Sequence, residues 1–174
     1  MANTYVLIGS STVGSGGVSS ITFSSIPPTY TDLKIVCSTR DTNATANNGN
    51  NRLKYNGSST TDYSTKYLYG NGATTASGGT SAVDGMEMGV TSMDAAGNTA
   101  SVFSSLEMYI PNYGVTQAKS VSGDATEEQN GTTAYAAMTA GLRTTTDAIT
   151  SVTLTPTTLY AQYSTFYLYG IKNS

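Results

Sequence analysis

The sequence predicts an all-β protein: one domain over residues 1–174, a β-sandwich of jelly-roll-like form with eight to ten strands. Three observations carry that expectation. Short segments rich in Val, Ile, Leu, Thr and Tyr alternate apolar and polar residues, the period of a half-buried strand. Gly, Asn, Pro and Ser separate them at regular intervals. Helical evidence is thin, because even the Ala-rich stretch from Thr133 to Leu142 is interleaved with Thr, Tyr and Gly and reads as a strand.

The elements follow in order. Residues 4 to 8 read as a first strand, and Val18 to Ser24 as its hairpin partner across the small-residue connection from Ser10 to Gly17. Gly14, Gly16 and Gly17 lack the Gly-Lys-Ser/Thr ending of a phosphate loop, so that connection is read as a turn. Pro27 and Pro28 make a stiff corner that launches a strand from Leu33 to Thr39, with Leu33, Ile35 and Cys37 on one face. Residues 41 to 51 and 71 to 82 are read as polar loops. Between them lie a short strand, Arg52 to Tyr55, closed by Asn56-Gly57, and a Tyr-rich strand from Tyr63 to Gly70. Met86 and Met88 alternate in a segment that suits packing or an adaptable contact edge. Further strands are expected from Ser101 to Ile110, Ala118 to Ala125, Thr132 to Arg143 and Ile149 to Thr155. The closing strand, Tyr163 to Gly170, repeats Tyr63 to Gly70 with one change, Phe166 for Lys66. Alternation sets Tyr67, Tyr69, Tyr167 and Tyr169 on outward faces as candidate contacts with other subunits, with sheet-to-sheet packing as the competing role.

Composition excludes more than it assigns. Charged residues make up 11% of the chain and the net charge is -3, with basic residues scattered, so a phosphate-backbone partner is not expected. Arg52 and Lys54 read as one solvated strand face. No apolar run approaches the ~20 residues that cross a bilayer. The N-terminus lacks a secretory pattern, which makes a soluble protein of the cytoplasm the expectation. With no histidine and a single cysteine, Cys37, read as a buried thiol, there is no Ser-His-Asp, Cys-His or His-metal chemistry and no intrachain disulfide. Carboxylate chemistry remains, and Asp84, Glu87, Asp94 and Glu107 are its candidates, but spacing does not pair them. Asp124, Glu127 and Glu128 do not match a calcium loop and read as a solvated acidic turn. Neither enzyme activity, cofactor nor metal is expected.

Several segments resemble a family of small virion proteins of tailed bacteriophages, common among cyanophages and other aquatic phages. These are the opening Tyr5-Val6-Leu7-Ile8-Gly9-Ser10-Ser11-Thr12-Val13-Gly14, the run from Ile21 to Leu33 through Pro27-Pro28, Tyr55-Asn56-Gly57 and the closing Tyr163 to Ser174. The resemblance covers both ends, and residues 71 to 100 depart from it. It implies a virion structural protein made in the host cytoplasm: a capsid cement or decoration protein that clamps the major capsid protein on the outer shell as a homotrimer. The alternative is a tail-fibre or spike module that recognises host surface glycan.

Overall fold

The first and last strands of the chain lie side by side, and the pairing repeats inward from there. In the computed structural model, which describes residues 4–45, 49–131 and 133–172, the strands are β1 (Tyr5–Thr12), β2 (Ile21–Phe23), β3 (Asp32–Asp41), β4 (Gly49–Tyr55), β5 (Tyr63–Gly70), β6 (Thr75–Val83), β7 (Met86–Ala95), β8 (Ser104–Ile110), β9 (Lys119–Glu127), β10 (Tyr135–Arg143), β11 (Val152–Thr155) and β12 (Thr165–Ile171). β1 pairs with β12, β2 with β11, β3 with β8 and β4 with β7, all antiparallel. That is one long hairpin rolled up. Rolling brings β12 against β3 and β11 against β4, giving sheets β1-β12-β3-β8 and β2-β11-β4-β7. This nested pairing is that of a jelly roll, the form expected from the sequence.

Two hairpins are inserted into this roll, β5-β6 between β4 and β7, and β9-β10 between β8 and β11. Both join the free side of β8, in the order β9-β10-β5-β6, and extend the first sheet to eight strands. The insertions raise the number to twelve among the described residues, above the eight to ten expected. The sheets are stitched at one corner by a short parallel bridge, Arg40 to Asp94 and Asp41 to Ala95.

The core fills the gap between the sheets. Leu33, Ile35, Cys37, Leu106, Met108, Phe166 and Leu168 enter from the larger sheet, and Leu53, Tyr55, Met86, Met88, Val152 and Leu154 from the smaller. The methionines of β7 are packing residues: a Cβ on Gly141 would lie 2.6 Å from the Met86 sulfur, and one on Gly123 would lie 2.7 Å from the Met88 methyl. Each long thioether thus fills a hole left by a missing side chain. Cys37 is buried as expected, and burial pushes its thiol up.

Three expectations need correction. The strand at residues 4 to 8 does not form a hairpin with Val18 to Ser24, because the rolled pairing sends β1 to β12 and β2 to β11. Residues 71 to 82 are not a loop: β6 runs through them, pairing with β5 from Thr75 to Val83. The Tyr67 ring covers Gly78 and the Lys66 stem covers Gly79, so the neighbouring strand supplies the side chains that β6 lacks. The polar loop at 41 to 51 is shortened at both ends, since β3 continues to Asp41 and β4 starts at Gly49; residues 46–48 lie outside the described residues.

Candidate interaction surface

Along each strand of the larger sheet, one set of side chains meets the core and the alternate set forms the outer face. Register places the outer residues in rows across the strands. One row runs Ser77, Leu68, Met138, Asp124, Glu107, Val36, Tyr167, Ser10, and the next runs Gly79, Lys66, Ala140, Ser122, Tyr109, Lys34, Tyr169, Leu7. Nine large apolar or aromatic side chains are exposed among the described residues. Seven of them, Tyr5, Leu7, Leu68, Tyr109, Met138, Leu142 and Tyr167, stand on this one face, a density that marks contact surfaces.

The outer face has two unlike halves. Toward β5 and β10, Leu68 and Met138 sit directly opposite each other and floor an open hollow of about 580 Å³, with Lys66 and Asp124 at its margins. Toward β1, a hollow of about 280 Å³ is lined by Tyr5, Lys34, Glu107, Tyr109 and Asp124. Lys34 holds Glu107 at 2.7 Å, and that bond to Glu107 raises the lysine's pKa against the opposing effect of burial. Tyr109 donates to Asp32 at 2.7 Å, a bond that pushes its hydroxyl up to about 12. Glu107 and Asp124 stand opposite each other on β8 and β9, a like-charge pair that the neighbouring ammonium relieves.

The four tyrosines singled out by the repeated strand do not share a surface. Tyr167 and Tyr169 lie on the outer face with rings stacked at 6.4 Å, and Tyr5 meets Tyr169 edge-on at the same distance. Tyr67 and Tyr69 are not outward: they pair with Thr139 and Ala137, which are buried, so they continue the core side of the sheet past the rim of the smaller one. There they are half-buried, stacked at 6.2 Å, with Tyr135 against Tyr69 at 5.6 Å. The two copies present opposite faces to the core, and they differ at one position, Lys66 against Phe166. β12 buries Phe166 and Leu168, whereas β5 buries Tyr63 and Thr65 and exposes Lys66 and Leu68.

The carboxylate candidates scatter. Asp84 and Glu87 both meet Arg52, at 2.8 and 3.6 Å, on the outer side of the smaller sheet, where Lys54 also holds Asp84 at 2.8 Å. Glu107 lies on the other sheet, and Asp94 is fully buried. The acidic turn is solvated only in part: Glu127 at the end of β9 is fully buried, and burial pushes it up to about 7 against the lowering effect of a hydrogen bond from Asn98. Leu68, Met138 and Leu142 escaped the sequence reading. The signal was present, since each sits between inward residues of an alternating strand, but nothing local says which alternate set faces the second sheet.

No protein-family model and no curated protein matches the sequence. Among solved structures, the chain is similar to an exo-inulinase from Aspergillus awamori at 14% identity and a TM-score of 0.46, over 96% of this chain and 29% of that one. It is also similar, at 12% identity and a TM-score of 0.26, to the CBM2 module of the evolved Dit of Lactobacillus casei BL23 phage J-1, over 89% of this chain and 69% of that one. The chain therefore spans less than a third of the inulinase.

Proposed function

We propose that this chain is a structural protein of a bacteriophage virion, a capsid cement or decoration protein. In this reading the outer face of its larger sheet docks on the major capsid protein, and it assembles as a homotrimer. The observation that carries the reading is the gathering of seven exposed apolar and aromatic side chains on that one face. Together with the family resemblance of both chain ends, it favours a broad adhesive surface over a cleft. Tyrosines suit it, because each brings a large contact area and a polar tip that tolerates a wet interface.

The test is binding to undecorated phage capsids together with a virion reconstruction. Density at capsid surface positions is expected, and Met138→Glu or Leu68→Glu should weaken capsid binding by at least about tenfold while the protein stays folded, since both side chains are solvent-facing. Density confined to the tail would end the proposal. A tail-fibre or spike module that binds host glycan is the second reading. It is favoured by the hollow of Tyr5, Lys34, Glu107, Tyr109 and Asp124, whose carboxylates, ammonium and rings suit sugar hydroxyls and ring faces. Saturable binding to host lipopolysaccharide, lost in Asp124→Ala, would select it.

A further inference from the structure

We propose that Asp94, Asn98 and Glu127 form a binding site for a hard divalent cation, calcium in the first place, which pins the β7–β8 loop to the end of β9. The inference does not depend on the virion role. Asp94 sits near the end of β7 and Glu127 at the end of β9, both fully buried, and Asn98 reaches between them from the intervening loop. The Asn98 amide nitrogen donates to Asp94 Oδ1 at 3.0 Å and also to Glu127 Oε1. Asp94 Oδ2 accepts from Ser104 Oγ at 3.0 Å. Glu127 Oε2 is buried with no hydrogen-bond partner.

Two carboxylates thus share a buried site, and no ion pair reaches either one among the described residues. Arg40, whose backbone pairs with that of Asp94, makes no ion pair with either acid. Its guanidinium donates to the carbonyl oxygens of Thr99 at 2.8 Å, Val102 at 2.7 Å and Asn98 at 3.2 Å. A buried acid pair without a direct ion-pair partner is costly, and a buried carboxylate oxygen without a donor adds to the cost. A cation relieves both. No trio of His, Cys, Asp or Glu able to hold a metal occurs among the described residues, so the amide supplies the third protein oxygen. A half-turn about the last torsion of Asn98 exchanges its nitrogen for its oxygen, which then faces the same point as the two carboxylates. The donor set is all oxygen, which suits calcium or magnesium and not zinc or copper. Its irregular origin, on two strands and a loop, suits calcium, because magnesium demands near-octahedral ligands.

The loop so pinned already carries Thr99, whose backbone N–H donates to Gln129 Oε1 at 3.2 Å and whose hydroxyl donates to the Gln129 carbonyl at 2.7 Å. Occupancy would therefore stiffen both connections at that end of the sandwich.

The experiment is a calcium titration of the full chain at pH 7.5, by calorimetry and by thermal unfolding against an EGTA control. One calcium per chain and a rise in Tm of about 5–10 °C at 1 mM calcium are expected. Both should be lost in Glu127→Gln and in Asp94→Asn and kept in Glu128→Gln, whose side chain is exposed. Tyrosine-sensitised terbium luminescence on the wild type, displaced by calcium, gives a readout that needs no variant. The absence of heat, Tm shift and terbium signal overturns the site and leaves a retained proton as the means of neutralising the pair. A calcium effect equal in wild type and in folded Glu127→Gln or Asp94→Asn also overturns it, assigning the ion to the surface.

Discussion

At the scale of single residues, the two copies of Tyr-Ser-Thr-x-Tyr-Leu-Tyr-Gly turn opposite faces to the core and differ at one position. Phe166 is fully buried with its ring edge-on to Tyr160 at 4.7 Å, while Lys66 is exposed with its stem over Gly79. Phe166→Lys should cost roughly 4 kcal/mol or more, by forcing an unpaired charge into the core. Lys66→Phe should stay within about 0.5 kcal/mol, the usual range for surface changes. Urea unfolding of both variants checks the pair, and equal losses would mean that position 66 also faces a core. Asp62 gives a pH dependence. Burial raises its pKa, but hydrogen bonds from Thr145, Thr60 and Arg143 outweigh that and hold it below the ordinary carboxylate value. Such a group contributes stability above its unfolded pKa of about 4, and the contribution is lost as pH falls through the depressed folded value. Asp62→Asn should therefore be less stable than wild type at pH 7 and show a flatter loss below about pH 4. Parallel stability curves for the two proteins would remove Asp62 from the acid limb.

At the scale of elements, the sheets approach as closely as Gly123 and Gly141 allow. Gly141→Val places methyl groups where the Met86 sulfur and the Val121 side chain already stand, with the new Cβ 2.6 and 2.7 Å from them. Overpacking of this kind costs about 1–3 kcal/mol, which should lower Tm by about 3–9 °C in a thermal melt. An unchanged Tm would show that the methionine yields. Strands were legible in the sequence where alternation was strong, as in β3, β8 and β12, and β10 was rightly separated from a helix by its Thr and Gly residues. β6 was not legible, because Thr-Ala-Ser-Gly-Gly-Thr-Ser has no apolar alternation of its own and is ordered by Tyr67 and Lys66 from β5. Glu127 was misread for a related reason: its neighbours Glu128 and Asn130 are exposed, and its hydrogen bond comes from Asn98 of the β7–β8 loop, distant in sequence.

At the scale of the whole molecule, the fold class and its jelly-roll form were legible, but the candidate surface only in part. Tyr167 and Tyr169 could be read as outward from the closing strand alone, whereas joining them with Leu68 and Met138 requires the order of six strands, which no local pattern carries. The nested pairing also bears on how the protein is made. β1 leaves the ribosome long before its partner β12 has been synthesised, and every inner pair waits in turn for a later segment. Closure is thus a late and cooperative event, with long spans of nascent chain held open. A product cut short before β12 leaves β1 unzipped, and its unsatisfied backbone and the bare side of β3 become targets for chaperones and proteases.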